Sequence, residues 1–140
     1  MGDTITAQQL ADKIRHCFRN KDAAAFAALY TEDAVLHQGS EVYRGREAIQ
    51  ESYAASFRAF PDGEPEFWNI MSCGKYFIYE GIFRGTNTGP LASSEGDIPP
   101  TGRKVEFPFA FIAQMSPKGL IEEDRTYLDS ALQMEQLGLG

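Results

Sequence analysis

The stretch KVEFPFAFIAQM, residues 104–115, decides the fold class of this chain. Apolar side chains recur in it at every second position: Val105, Phe107, Phe109, Phe111 and Ala113. A period of two predicts a long strand with one face buried against a core. The fold is therefore built around a sheet whose inner surface is rich in phenylalanine.

Further strands are predicted on both sides of this one. Residues 66–72 and 76–86 are separated by a hairpin-sized turn at Cys73-Gly74-Lys75. After the turn at residues 116–119, residues 120–129 form the last long strand. The second half of the chain is thus predicted to be a meander of antiparallel strands.

Helices are predicted mainly in the first half. Thr6 and Gln9 fit a capping box, in which a hydroxyl and an amide side chain satisfy free backbone groups at a helix start. Further helices are predicted over residues 46–60 and 131–137. The first of these ends sharply at Pro61-Asp62-Gly63.

The segment between the first and third helices is the most ambiguous. Asn20-Lys21-Asp22 ends the first helix, and the spacing of Phe26, Leu29 and Tyr30 predicts a second helix. A polar stop at residues 31–33 and a short strand at 34–38 follow. Helices first and strands second predict an α+β fold, with helices packed in the concave face of a curved, mostly antiparallel sheet.

Size and charge limit the function classes. The chain of 140 residues predicts one domain, residues 1–140, and its net charge of −7 disfavours nucleic-acid partners. No apolar run is long enough to span a membrane. Met1–Thr4 contains no basic and apolar leader pattern, and Cys17 and Cys73 match no redox spacing. We therefore expect a cytoplasmic protein that contacts no membrane.

Several segments in order resemble one superfamily, the nuclear transport factor 2-like cone fold, and within it the SnoaL-like polyketide cyclase group. The segments span almost the whole chain and are residues 27–34, 43–49, 84–90, 99–105, 121–129 and 136–138. This resemblance implies a cystatin-like cone with a conical cavity between helices and sheet. It implies less about activity, because this fold hosts enzymes, binders and transport factors.

The resemblance places the family's acid–base positions on residues that move protons poorly. The last-strand aspartate of SnoaL-like cyclases, and of limonene epoxide hydrolases, aligns with Thr126, and the cyclases' partner histidine aligns with Phe111. The general base of ketosteroid isomerases aligns with Gln38, and their oxyanion tyrosine falls near Ile14. The mechanism usual for the family is therefore incomplete in this chain.

Asp124 is the best remaining carboxylate. Strand alternation puts Asp124, Thr126 and Leu128 on one face, so Asp124 faces the cavity if Thr126 does. In an apolar cavity its pKa is expected to rise, which suits general acid or base work. The alternative is a structural role, in which Asp124 pairs with Arg125 of a neighbouring strand or subunit, or with Arg84.

Two cationic residues complete the predicted catalytic set. Arg84 shares a strand face with Glu80, either to polarise a carbonyl or as an ordinary cross-strand ion pair. His37 can shuttle a proton near neutral pH, but simple alternation turns Gln38, not His37, toward the pocket. The residues predicted to bind substrate are Gln38, Tyr53, Phe57, Trp68, Phe109, Phe111 and Thr126.

Three hypotheses for function follow. The first is a cofactor-free enzyme for isomerisation, cyclisation or dehydration of an apolar polyketide-, terpenoid- or steroid-like substrate, with Asp124 as proton carrier. The second is a non-catalytic binder of a small apolar ligand, and the third is a structural module. A homodimer is expected in each case, because Pro108, Ala110 and Ile112 make the second face of residues 104–115 apolar too. No metal site is expected, since the two histidines lie far apart.

Overall fold

The computed structural model describes residues 5–140, so Met1–Thr4 and the leader prediction made there lie outside the described residues. Four helices pack on one side of a curved six-stranded sheet. In chain order the elements are α1 (Ala7–Asn20), α2 (Ala23–Ala27), β1 (Tyr30–Gln38), β2 (Glu41–Arg44), α3 (Arg46–Ala59), β3 (Glu64–Cys73), β4 (Tyr76–Thr86), β5 (Lys104–Met115), β6 (Ile121–Leu128) and α4 (Ser130–Gln136). The predicted α+β class is confirmed.

The strands lie in the order β2-β1-β6-β5-β4-β3. Neighbours pair antiparallel except β1 and β6, which run parallel. A parallel pair needs a long crossover, and here residues 39–120 lie between the two strands. Strand β1 thus extends the antiparallel meander beyond β6, and β6 lies in the interior of the sheet.

Helix α1 begins at the predicted capping box. The Gln9 backbone nitrogen donates to Thr6 Oγ1 at 3.0 Å, and the Thr6 backbone nitrogen donates to Gln9 Oε1 at 2.9 Å. The helix ends at Lys21, whose φ of 52° is left-handed. Its buried stripe, which includes Ile14 and Phe18, packs over β3 and toward the sheet interior.

The segment after α1 differs from its prediction. Helix α2 stops at Ala27, and Tyr30 is the first residue of β1 rather than a residue of a helical stripe. The backbone of Leu29 accepts a hydrogen bond from Ile121 N at 2.9 Å, so pairing with β6 replaces the helical bond pattern. The same pairing makes the expected polar stop at residues 31–33 part of a nine-residue strand. The short strand β2 was not predicted from the sequence.

No helix within residues 5–140 is long and apolar enough to cross a bilayer.

The core is one large cluster between helices α1–α3 and the sheet, with a smaller one near β5 and α4 around Phe60, Phe107 and Leu137. The connection from β4 to β5 is long and contains only the isolated bridge between Leu91 and Ile98.

Candidate functional site

An apolar cavity of about 120 Å³ lies between the helices and the concave face of the sheet. Its wall carries one charged residue, Asp124. Most of the wall consists of aromatic rings from the helices and from the inner faces of β3, β4 and β5. The lining residues are Ile14, Phe18, Phe26, Tyr30, Gln38, Tyr53, Ser56, Phe60, Pro65, Phe67, Phe83, Phe107, Phe109, Phe111, Asp124, Thr126, Leu128 and Gln133.

Asp124 is 2 % exposed and holds two hydrogen bonds. The Tyr30 hydroxyl donates to its Oδ2 at 2.7 Å, and the Thr126 hydroxyl donates to its Oδ1 at 2.8 Å. Within the chain, Asp124 forms no ion pair with Arg84 or Arg125, which pair with other carboxylates, so the structural alternative is wrong for these intrachain partners. The carboxyl group is held by two neutral hydroxyls.

The sheet register explains why these three side chains meet. Asp124 and Thr126 stand two residues apart on β6, and they pair with Leu36 and Gln38 of the parallel strand β1. Tyr30 comes from the start of β1. Its carbonyl oxygen accepts two hydrogen bonds from the Arg46 guanidinium, at 2.6 and 3.1 Å, which fix this strand start against α3.

Burial sets the ionisation of this site. Desolvation raises the pKa of Asp124 to about 6, although hydrogen bonds from Tyr30 and Thr126 and the nearby His37 act in the opposite direction. Burial, together with the adjacent carboxyl, raises the pKa of Tyr30 well above its ordinary value. Tyr30 therefore stays a neutral donor, while Asp124 exchanges a proton near neutral pH.

Four other polar side chains reach the cavity: Gln38, Tyr53, Ser56 and Gln133. Tyr53 and Ser56 lie one turn apart on α3, opposite the sheet that carries Asp124. Burial and the Asp124 charge raise the pKa of Tyr53 far above its usual range, so its hydroxyl stays protonated. The cavity thus has a proton-exchanging carboxyl on the sheet side and neutral hydroxyls on the helix side.

Most of the residues predicted from the sequence to bind substrate line this cavity. They are Gln38, Tyr53, Phe109, Phe111 and Thr126. The predicted shared face of Asp124, Thr126 and Leu128 is also confirmed, since all three are lining residues. Period-two alternation was sufficient to place them.

His37 does not face the cavity. Its Nε2 lies 2.8 Å from Glu123 Oε2 on the opposite face of the sheet, and Arg125 contacts the same carboxylate at 3.0 Å. Its neighbours Leu36 and Gln38 point inward, so alternation turns His37 outward. The expectation of a catalytic His37 is corrected on this ground.

Arg84, Trp68 and Phe57 are also corrected. Arg84 lies on the outer face, where it bridges Glu66 at 2.5 Å and Glu106 at 2.6 Å, rather than the expected Glu80. Trp68 sits at an irregularity in β3 and is half exposed. Phe57 is buried in the core, with its ring 5.0 Å from that of Phe18, and does not reach the cavity.

Tyr30, Phe18 and Phe26 line the cavity but were not predicted as site residues. Tyr30 and Phe26 were assigned to a helix stripe, and a stripe does not distinguish core from cavity wall. Tyr30 immediately precedes residues that pair with β6, and this position could have indicated that it begins a strand. Within residues 5–140, no cluster of three histidine, cysteine or acidic side chains could hold a metal ion.

The fold and the cavity define the class: a nuclear transport factor 2-like α+β cone with a buried carboxyl in its pocket. The chain belongs to the SnoaL-like polyketide cyclase family, whose sequence model matches residues 8–137. No curated protein matches the sequence significantly.

Solved structures agree with the class. IdmH of Streptomyces antibioticus, provisionally assigned as a polyketide cyclase, is 23 % identical with a TM-score of 0.74, over 96 % of this chain and 99 % of that one. A ketosteroid isomerase-like protein of Catenulispora acidiphila, solved with trimethylamine, is 15 % identical with a TM-score of 0.77, over 97 % and 96 %. SalBIII, an epoxide hydrolase/cyclase-like enzyme of pyran ring formation in salinomycin, is 18 % identical with a TM-score of 0.73, over 89 % and 92 %. At these identities the likeness shows the fold.

Proposed function

We propose that this protein is a cofactor-free enzyme that moves a proton on a small apolar metabolite, in an isomerisation, cyclisation or dehydration. The observation that carries the proposal is Asp124, the one carboxyl group in a wall of aromatic rings. Its raised pKa lets it serve as base and acid in one turnover at neutral pH. Family membership supports the reaction class, and the substrate would be polyketide-, terpenoid- or steroid-like.

The neighbours of Asp124 would perform separate tasks. Tyr30 and Thr126 each donate to one carboxyl oxygen and would hold Asp124 in one orientation while it takes up and releases the proton. Gln38 extends from β1 beside Thr126 and would orient a polar group of the substrate. The rings of Phe109 and Phe111 would stack on a flat apolar body.

The test is solvent exchange of an acidic carbon-bound proton. A flat enolisable ketone, 2-tetralone, is incubated with the protein in D₂O, and loss of its α-proton signal is followed by NMR. We expect exchange above the buffer rate, rising with pH through about 6 as the Asp124 carboxylate forms.

The matched variant is Asp124→Asn, which keeps the shape of the side chain and its ability to accept from Tyr30. Exchange should fall to the buffer rate while the melting temperature stays at or above that of the wild type. Equal exchange rates in the wild type and Asp124→Asn would contradict the proposal.

A second candidate is a non-catalytic binding protein. The observation that favours it is that the family's acid–base positions hold other residues here. Thr126 stands where the family has an aspartate, and Phe111 stands where it has a histidine. The Catenulispora protein with trimethylamine shows that a relative of this fold takes up a small amine. In this chain a protonated amine would find the Asp124 carboxylate and ring faces.

Thermal stabilisation distinguishes the two candidates. A binder should be stabilised by 2-tetralone or trimethylamine without catalysing exchange. Stabilisation by trimethylamine that disappears in Asp124→Asn, with no ketone exchange in the wild type, would favour the amine binder over the enzyme.

A further inference from the structure

The helical wall of the cavity offers a hydrogen-bond donor that the fold does not use. Every buried side-chain nitrogen or oxygen within residues 5–140 has a hydrogen-bond partner. The Tyr53 hydroxyl takes part in none of these hydrogen bonds. Its pKa is raised by desolvation and by the charges of Asp124 and Tyr43. The hydroxyl is therefore open to the cavity.

The position of Tyr53 is fixed by packing rather than by polar contacts. Its ring lies 3.9 Å from the ring of Phe26, measured between centroids, and 6.1 Å from those of Phe18 and Phe57. A ring held in this way aims its hydroxyl without a hydrogen bond to orient it. That leaves the donor free for a ligand, while its raised pKa keeps the proton in place.

The charge of the wall limits what the ligand can be. Among residues 5–140, no lysine, arginine or histidine lines the cavity, and its one carboxyl group is that of Asp124. A carboxylate or phosphate ligand would enter without a counterion and would face a second negative charge. An uncharged ligand with one acceptor oxygen fits both sides, because Asp124 would lie toward its carbon and Tyr53 toward its oxygen.

We infer that the substrate is an uncharged enolisable carbonyl compound, and that Tyr53 donates a hydrogen bond from α3 to its carbonyl oxygen. This inference rests on the proposed function for the role of Asp124. In the step, the α-carbon–hydrogen bond breaks and the proton passes to the Asp124 carboxylate. The electron pair of that bond forms the carbon–carbon double bond, and the carbonyl π pair becomes the enolate lone pair that Tyr53 stabilises. Return of a proton from Asp124 to carbon completes the exchange.

The test uses 2-tetralone carrying ¹³C at the carbonyl, observed by infrared difference spectroscopy when bound. A hydrogen bond from Tyr53 lowers the carbonyl stretching frequency below its value in an apolar solvent. In Tyr53→Phe, which keeps the ring and its packing on Phe26, the band should return toward the apolar value. Exchange should also slow by about 10²-fold, the usual loss for one oxyanion donor, with an unchanged pH midpoint.

The matched control is Tyr43→Phe, which removes a nearby hydroxyl from a half-buried ring outside the cavity wall. Its carbonyl band and exchange rate should equal those of the wild type. An unshifted band in the wild type, the same band in Tyr53→Phe, or no saturable binding of 2-tetralone would each overturn the inference.

The experiment separates this inference from the proposed function. Asp124→Asn should lose exchange but keep the lowered carbonyl frequency, because Tyr53 still donates. A lowered frequency with exchange that is insensitive to Asp124→Asn would sink the proton-carrier role and leave the Tyr53 contact standing.

Discussion

A single aspartate combines an ordinary sequence position with an unusual environment. Asp124 follows two other acidic residues, and nothing in that triplet distinguishes it except strand parity. Glu123 points outward into an ion pair with His37, whereas Asp124 points inward to Tyr30 and Thr126. The same chemical group is thus a surface charge at one position and a buried carboxyl with a raised pKa at the next.

Burial of Asp124 should make stability depend on pH in a particular direction. Its folded pKa of about 6 lies above the unfolded value of 3.8, so folding favours the protonated carboxyl. The resulting stability is complete below pH 3.8 and is lost as pH rises through about 6. The shift of about two pKa units corresponds to about 3 kcal/mol. We therefore expect Asp124→Asn to gain about 3 kcal/mol over the wild type between pH 4 and pH 7.

Urea unfolding of both proteins across this pH range measures the difference. Groups remote from Asp124 titrate equally in the two proteins, so the comparison reports Asp124 together with the charges it contacts. A difference in unfolding free energy that stays constant with pH would show that the carboxyl is not desolvated as the structure indicates.

Tyr30 should tune the proton affinity of Asp124. Its hydroxyl favours the ionised carboxylate, and Tyr30→Phe removes this donor while keeping the ring. The pKa of Asp124 should rise above about 6, which moves the exchange profile to higher pH. The Asp124 side-chain carbon shift, followed by NMR titration, reports the same pKa without a substrate. A midpoint that falls or stays unchanged would contradict this role for Tyr30.

Among the elements, the loop between β4 and β5 depends on one buried side chain. Asn87 is fully buried, and its Nδ2 donates to the carbonyl oxygens of Ala59 and Gly89 at 3.1 and 2.9 Å. Its Oδ1 accepts from the Thr101 amide and hydroxyl at 2.8 and 2.9 Å. One amide thus ties both ends of the 17-residue connection between β4 and β5 to the end of α3, which carries Tyr53 and Ser56.

Asn87→Ala should release this anchor. It leaves the Gly89 carbonyl and the Thr101 amide and hydroxyl without these partners, whereas the Ala59 carbonyl keeps its hydrogen bond from Gly89 N at 3.2 Å. We therefore expect a loss of about 3 kcal/mol in unfolding free energy. Asn69→Ala is the matched control, because exposed Asn69 bonds only to Glu80 and its loss should cost less than about 0.5 kcal/mol. Equal stability losses for the two variants in urea unfolding would refute the anchoring role.

Sequence patterns predicted the elements whose signal is local. The period of two in β5, the capping box of α1 and the turn at residues 74–75 are complete within a few residues. The start of β1 and the partner of Asp124 depend on the parallel pairing of β1 with β6, which are about 90 residues apart along the chain. No window of sequence contains both strands, so Tyr30 was assigned by local propensity to a helix.

At the scale of the whole molecule, the outer face of the sheet is unusually apolar for a surface. Tyr127 is 57 % exposed, and Ile112 is 36 % exposed. Register places Ala110 opposite Tyr127, and Pro108 beside Ile82, so these side chains adjoin across β4, β5 and β6. The helices cover only the concave face, and we propose that a second copy of the chain covers the outer face in a homodimer.

Charge on that face predicts the effect of a single substitution. Arg125 pairs with Ile112 and Glu80 pairs with Ala110 on this face, so its exposed apolar side chains are bordered by charges. Ile112→Glu puts a carboxylate among the apolar side chains that a second copy would cover, and burying that charge would cost free energy. Sedimentation velocity should show a dimer for the wild type and a monomer for Ile112→Glu. Lys118→Gln, in the exposed turn before β6, changes the net charge equally and should leave the dimer intact. A wild-type protein that sediments as a monomer at micromolar concentration would refute the homodimer, and the outer face would then be solvated in the free protein.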